Sequence, residues 1–575
     1  MIMKKTLLTA FLIITAVLWS AGFAQEKGPS GIDKIFGDAG EIYFKFTVSD
    51  KSEADNLTRI ISIDNVKGNE VYAYANKKEF SAFLETGLSY TLLPRPSGLV
   101  DETELNMGNA GDAPSTIWNF YPTYQQYLDF MVAFAADHPS ICRLDTIGYT
   151  VQNRLLLVLK ISDSVNQRDA EPQFLYTSSI HGDETTGYVL MLHLIDYLLS
   201  GYGTDERITN LIDSTEIYIN PLANPDGTYH GGNNTVGGAQ RYNANNVDLN
   251  RNYPDPADGP HPDGNAWQPE TVAFMAFADS NDFVMSANFH GGTSVLNYPW
   301  DTWAKLTADD DWWKFVCREY VDTVHLYSPS GYYSGYDNGI TNGYQWYRIT
   351  GGRQDYMNYW HSCREVTNEI SDVKLLPAAQ LLNFWNYNYR SLLNYIEEVK
   401  YGVQGIITDS VTGEPIDSVK VYIFGFDKDN SQVYSKAPTG YYSRLLIEGS
   451  YNITFSRAGY FTKLVPGVSV VNRQRHQMDV QLVPVTIATD RITPKQMTMA
   501  FPNPSEGRFR LALPTTGPGT AEVEVIDITG KQVYAGTVST AVPWVGIDLS
   551  GRTAGMYFVR VKDGSGTYED RIIIR

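Results

Sequence analysis

Two histidines and a glutamate stand where a metal ion would need them. His181-Gly-Asp-Glu184 sets an imidazole and a carboxylate three residues apart, just after an apolar stretch that ends at Ile180. On a strand-to-helix turn, that spacing lets both side chains converge on one ion, and nitrogen with carboxylate oxygen suits zinc. Alone, the pattern is weak. The chain has 9 histidines, enough for a chance His-x-x-Glu, and Asp183 and Glu184 would also be favoured at a helix N-terminus without any metal. Asn288-Phe-His290-Gly-Gly292 follows a second apolar run. A third ligand at another strand end would complete a site of two histidines and one carboxylate with one position open for water, the pattern of a catalytic zinc. By itself, His290 is equally an ordinary polar loop residue. A third stretch runs from Arg241 through Asp248, Asn250, Arg251 and Asn252 to Asp255. Its Arg forks and Asn amides make a receptor for a carboxylate, and taken alone it also reads as a polar surface loop.

Strands that end together are needed to bring these groups into one place. Phe174–Ile180, Ile217–Asn220, Phe283–Phe289 and Val366–Ile370 read as short apolar strands, and Thr123–Asp137 and Thr186–Leu199 have helical spacing. Strands alternating with helices predict an α/β domain over about 117–400, a mixed or parallel sheet covered by helices on both faces, with ligands beyond the carboxyl ends of the strands. Ahead of it, residues 25–95 hold strand-like runs (Glu41–Val48, Asn69–Tyr74) and a short helical run (Lys78–Glu85), a small α+β domain. A polar stretch over 96–116 reads as a linker. After residue 401 the pattern becomes short alternating strands with turn signals, which predicts a β-sandwich to about 485 and a second all-β unit over 497–575.

The whole chain is 575 residues, too many for one core, which fits several domains. Its formal net charge of -20 argues against a nucleic-acid partner, which needs a basic face. Lys4 and Lys5 precede an apolar run from Leu7 to Trp19, with small residues before Gln25. This reads as an export signal over 1–24, because spanning a bilayer takes roughly 20 apolar residues. No later segment is long and apolar enough to span a membrane. Only three cysteines occur, Cys142, Cys317 and Cys363, so at most one disulfide forms and the fold depends on core burial.

Read together, these strings resemble the zinc carboxypeptidase (funnelin) family, and within it the N/E group that includes carboxypeptidase D. His181-x-x-Glu184, Asn224-Pro-Asp-Gly227, the Arg241 to Asn252 run, Ser286-Ala-Asn-Phe-His290-Gly-Gly292, Tyr298-Pro-Trp-Asp301, Tyr347-Arg-Ile-Thr-Gly351-Gly-Arg-Gln354-Asp355 and Thr367-Asn-Glu369 occur in the family's order. The resemblance implies His181, Glu184 and His290 as ligands of one zinc ion, with Asp248 behind His181 fixing its tautomer. It implies Glu369 as general base, Asn250, Arg251 and Tyr347 as the grip on a terminal carboxylate, and Arg241 as the stabiliser of the oxyanion. Glu365 lies on the same strand, but Glu369 keeps the family's spacing from Asp355. Asp301 and Gln354 would close the pocket for the terminal side chain, and an aspartate at the Asp301 position goes with preference for Lys or Arg. Arg364 and Asn368 stand where relatives are more apolar, which makes the packing of that strand an open point.

Gly405-Ile-Ile-Thr-Asp-Ser-Val-Thr-Gly413-Glu-Pro415 resembles the transthyretin-like domain that follows the catalytic domain in this group. Phe501-Pro-Asn-Pro-Ser-Glu-Gly507 and Ala554-Gly-Met-Tyr-Phe-Val559 resemble the C-terminal sorting domain of type IX secretion cargo. Residues 25–95 lie where a pro-segment would. The expectation is a secreted or surface-held zinc metallocarboxypeptidase acting on peptide or protein C-termini and engaging secretion machinery through its C-terminal domain. A competing reading is a binding protein on an inactive peptidase scaffold, yet such proteins usually lose a ligand or the base, and all are present here.

Overall fold

The computed structural model describes residues 29–36, 40–108, 118–485, 495–496, 499–514 and 516–575. The signal expected over 1–24 lies outside them. The chain divides into two compact units, one up to Pro484 and one from Val485 onward.

In the first unit, eight strands build one mixed sheet in the order 340–342, 293–298, 364–371, 283–290, 173–178, 216–220, 155–161 and 142–149. The four strands in the middle, Arg364–Ser371, Phe283–His290, Gln173–Ser178 and Glu216–Asn220, run parallel. Being covered on both faces, they are buried along nearly their whole length rather than on alternate residues. Phe174 and Tyr176 face the larger core beneath helices Thr186–Gly201 and Ala378–Glu397. Leu175 faces a smaller one beneath helices Pro269–Asp279 and Arg353–His361. Helix Tyr124–Asp137 starts at Thr123, whose hydroxyl accepts from the Gln126 amide in a capping box. The predicted strands and helices are present, with ends moved by one or two residues.

The N-terminal domain is a four-stranded antiparallel sheet in the order Ser62–Lys67, Glu70–Ala75, Ile42–Thr47 and Tyr90–Leu93, with helices Lys51–Leu57 and Lys77–Glu85. The strand Ser62–Lys67 was not foreseen. Its alternation is broken by the exposed turn at Gly68 and by a bulge between Ile63 and Asn65. The domain's core of Phe44, Phe46, Ile63, Phe80 and Phe83 is continuous with Val295, Trp346, Tyr347 and Ile349 of the catalytic domain. Burying each such large side chain is worth about 1.5–3 kcal/mol, so the two domains are joined by a true apolar seam. The stretch expected as a plain linker contains two short 3-10 helices, Pro96–Leu99 and Glu102–Glu104; residues 109–117 lie outside the described ones.

Two four-stranded sheets pack as a sandwich over Gly402–Leu482. Where this domain meets the catalytic domain, the buried Arg444 guanidinium pairs with Asp427 at 2.6 Å and Asp309 at 2.8 Å, and Arg364 pairs with Asp309 at 2.7 Å. That ion network resolves the packing of Arg364. Asn368 is likewise held, accepting from the Tyr333 hydroxyl. Cys142, Cys317 and Cys363 are all buried and unpaired. The second unit is a five-stranded and a three-stranded sheet around Val523, Val525, Val559 and Ile572, its first short strand, Lys495–Gln496, lying just ahead of residue 497.

Candidate active site

The parallel strands deliver the site from their carboxyl ends. Gln173–Ser178 leads into the turn that bears His181 and Glu184. This turn precedes, rather than opens, the helix Thr186–Gly201. It is clamped by the Asn224-Pro-Asp-Gly227 turn: the Asn224 amide donates to the Ile180 carbonyl (3.2 Å) and the Thr228 hydroxyl to the Gly182 carbonyl (2.8 Å). The two turns approach so closely that a Cβ on Gly182 would lie 2.3 Å from the Gly227 carbonyl carbon, which explains glycine there. Phe283–His290 ends on the second histidine of the cluster, and the register of the adjacent parallel strand places Glu369 opposite His290.

His181, Glu184 and His290 each offer one ligand atom within 4.8 Å of the others. His181 Nδ1 lies 3.0 Å from His290 Nδ1 and 3.1 Å from Glu184 Oε1, and His290 Nδ1 lies 2.8 Å from Glu184 Oε2. Zinc bonds of about 2.0–2.2 Å in tetrahedral array require ligand atoms roughly 3.3 Å apart, so this donor set fits zinc with little adjustment. Burial pushes the His290 imidazole down to about 4, which keeps it neutral as a ligand must be. Burial pushes Glu184 up, but His181, Lys374 and His290 outweigh it and hold the carboxyl well below its ordinary range. His181 Nε2, on the far side of the ring, lies 3.0 Å from Asp248 Oδ1, which fixes the ring so that Nδ1 faces the cluster.

The residues expected to handle substrate surround the cluster. Arg241, Asn250, Arg251, Tyr347 and Glu369 line one cavity with the three ligands, together with Asn297 and Thr367. Arg241 is fully buried; its Nε donates to Asp248 Oδ2 (3.0 Å) and its Nη1 lies 3.1 Å from His181 Nδ1. Arg251 Nη1 donates to the Asn250 carbonyl (2.9 Å), while its buried Nε has no partner among the described residues. Burial, reinforced by the Glu184 charge, pushes the Glu369 carboxyl well above its usual range. Glu365 instead pairs with Arg353 at 3.1 Å and accepts from the Ser286 hydroxyl at 2.7 Å, a structural ion pair at the other end of the strand.

Asp301 is buried and does not itself line the cavity; it is bonded to Asn297, which does. Its Oδ1 accepts from Asn297 (3.0 Å) and Gln354 (3.1 Å), and its loop is held by Asp355, which accepts from the Asp301 and Thr302 amides. Room for the carboxylate comes from Gly343, where a Cβ would lie 1.7 Å from Asp301 Oδ1. No cation pairs with it among the described residues, and burial pushes its carboxyl up to about 7.

Sequence reasoning missed Lys374 and the N-terminal residues that enter the site. Lys374 Nζ lies 2.6 Å from Glu184 Oε1 and 2.7 Å from Asp64. Lys374 falls in the same segment as Glu369, but nothing in its spacing marks it.

Residues 127–391 match the zinc carboxypeptidase family, residues 402–483 the carboxypeptidase regulatory-like domain, and residues 499–575 the secretion system C-terminal sorting domain. Carboxypeptidase M of Mus musculus is 38% identical over 366 residues, 59% of this chain and 80% of that protein. Carboxypeptidase D of Homo sapiens is 36% identical over 370 residues, 62% of this chain but only 26% of that protein, so the chain spans about a quarter of this longer relative. A crystal structure of carboxypeptidase A from Helicoverpa armigera aligns at 17% identity with a TM-score of 0.48, over 62% of this chain and 98% of that one. Ordered motifs, a two-histidine, one-glutamate cluster at the ends of parallel strands and a relative matched over most of its length agree: this chain belongs to the zinc carboxypeptidase family.

Proposed function

We propose that the chain is an exported zinc carboxypeptidase that removes C-terminal residues from peptides or proteins, with preference for Lys or Arg. The observation that carries the reading is the shared cavity: the three candidate ligands, a carboxylate base and two arginines all face it. A zinc ion held by His181, Glu184 and His290 would polarise a water molecule and the scissile carbonyl and favour the ionised form of Glu369. Arg251, whose Nε has no partner among the described residues, takes the terminal carboxylate of the substrate with Asn250 and Tyr347. An internal peptide bond offers no such group, which makes the reaction an exopeptidase one. Glu369 accepts the proton of the attacking water and passes it to the leaving amine, so that water adds across the C–N bond. Arg241 faces the oxygen that gains negative charge. Asp301 meets the cationic end of the departing residue, reached past Asn297 and Gln354.

The sorting domain and the expected signal support export through both membranes, with the C-terminal domain engaging secretion machinery. Peptides with blocked N-termini ending in Lys, Arg, Leu or Glu test the chemistry. Release of Lys or Arg that a zinc chelator stops and Glu369→Gln abolishes is the expected result. No release by zinc-loaded protein, before or after limited proteolysis, refutes the reading.

A further inference from the structure

Lys374 follows the strand that carries Glu369 and reaches the three candidate ligands with 2% of its side chain exposed. Its ammonium offers three hydrogens, and all of them find acceptors: Glu184 Oε1 at 2.6 Å, Asp64 Oδ1 at 2.7 Å and the Gly291 carbonyl at 3.2 Å. Its backbone carbonyl accepts from the Thr185 amide at 3.1 Å, and the nearby Ser371 carbonyl accepts from the Gly292 amide at 2.7 Å. One residue thus ties together the turn bearing His181 and Glu184, the end of the strand bearing His290, and the segment after Glu369. The glycines after His290 make room for its stem: a Cβ on Gly292 would lie 3.3 Å from Lys374 Cε and 3.4 Å from Nζ.

An ammonium this deeply buried is costly unless anions pair with it, and one of its two anions is a candidate metal ligand. That pairing divides the Glu184 carboxylate. Oε1 faces two cations, Lys374 Nζ at 2.6 Å and Arg241 Nη1 at 3.4 Å. A carboxylate oxygen has about two lone-pair sites, so two cationic donors leave Oε1 little to offer a metal. Oε2 instead lies 2.8 Å from His290 Nδ1. The two imidazole nitrogens, 3.0 Å apart, and Oε2 complete a ligand set without drawing on Oε1.

We infer that Lys374 is a positioning residue: it holds Glu184 Oε1 so that this carboxylate ligates zinc through Oε2 alone. The inference rests on the reading of His181, Glu184 and His290 as zinc ligands. Three protein atoms leave a tetrahedral ion one position for water, and a two-oxygen grip by Glu184 would occupy it. A lysine, unlike a neutral side chain of the same length, keeps the second oxygen engaged by charge as well as by geometry. Asp64 is not needed for this role, because the bonds to Glu184 and to the Gly291 carbonyl both lie within the catalytic domain. Lys374 touches no reacting atom; it acts through Glu184.

The test uses the full chain, stripped of metal and reloaded with zinc, as wild type, Lys374→Met, Lys374→Arg and Asp64→Asn. Crystal structures of the loaded forms read the two zinc–oxygen distances of Glu184. In the wild type, Oε2 should be bonded at about 2.0–2.2 Å and Oε1 should be too far away to bond. Lys374→Met should bring Oε1 onto the ion as well. Lys374→Arg, which keeps a charged donor, and Asp64→Asn, which changes only the other partner, should both stay bonded through Oε2 alone. Cobalt(II) in place of zinc gives the answer in solution: its visible absorption weakens as ligands are added, so Lys374→Met should lose intensity and Lys374→Arg should keep it. If Lys374→Met does not fold, Lys374→Gln takes its place, since its neutral amide ends one bond short of the ammonium. A role in packing alone would lower stability and leave the coordination unchanged. Both oxygens on zinc in the wild type, or a single oxygen on zinc in the Met and Gln variants, overturns the inference and leaves the carboxypeptidase. Zinc-loaded protein with no ion at His181, Glu184 and His290 overturns the ligand reading, and the inference with it.

Discussion

Asp248 touches His181 with one carboxylate oxygen, 3.0 Å from Nε2, and with the other accepts from Arg241 Nε at 3.0 Å and from the Ser62 hydroxyl. Burial pushes its carboxyl up, yet Arg241 and His181 outweigh that and hold it ionised well below the usual range. On the proposed reading it orients the imidazole, so Asp248→Asn should weaken zinc binding by about 10- to 100-fold. Competition against a chromogenic chelator reads this directly, apart from any effect on turnover. Unchanged affinity would remove Asp248 from the site.

Arg251 brings to the cavity wall a buried Nε that has no partner among the described residues. Truncating one side of a buried charged pair costs about 2–5 kcal/mol, roughly 30-fold to several thousand-fold. On protein freed of residues 25–95, Arg251→Ala should lose kcat/KM within that range. Arg251→Lys should recover little, because an ammonium cannot form the two parallel bonds of a guanidinium. Equal rates for a peptide and its C-terminal amide in the wild type would contradict the assignment.

Asp301 predicts specificity rather than rate. A charged hydrogen bond is worth about 1.5–3 kcal/mol, or roughly 10- to 150-fold. In Asp301→Ala, the ratio of kcat/KM for Lys-ended over Leu-ended peptides should fall by that factor. A ratio that does not move removes Asp301 from the pocket.

Glu41 predicts a pH response of the docked domain. Its carboxyl is pushed up to about 7, by burial first and then by the Asp183 charge, against the lowering effect of the Arg241 and Tyr242 amides and of Arg95; its ordinary value is 4.5. An acid whose pKa is raised by docking favours the docked state fully below 4.5, and that contribution is lost as pH rises through about 7. Release of the domain, read as its separation on size-exclusion chromatography after cleavage at an engineered site within residues 109–117, should therefore grow between pH 5 and pH 8. Glu41→Gln keeps an amide acceptor and cannot ionise, so it should flatten the profile. An equally steep profile in that variant would assign the response to another group.

The site was legible where chemistry is local. His181 and Glu184 lie on one turn, and Asp248, Asn250 and Arg251 share another, so their types and spacing carry the pattern. The parallel strands were legible as continuous apolar runs, because a sheet covered on both faces leaves them no polar side. Arg364 and Asn368 could not be read this way. Their partners, Asp309 and Tyr333, come from distant segments, and a buried ion pair has no periodicity. Asp64 and Lys374 were invisible for the same reason.

The sequence by itself determined the order of the strands and helices, which follows from the repeat of the backbone, and it carried the motifs whose resemblance to known families implied the ligand set and the identity of the flanking β domains. Tertiary structure alone decided that Glu369 lies beside His290, that Glu365 is paired with Arg353, and that residues 62–64 fill the cavity. Those outcomes depend on the register between strands and on how two folded surfaces complement each other, which are properties of contacts between segments far apart in the chain.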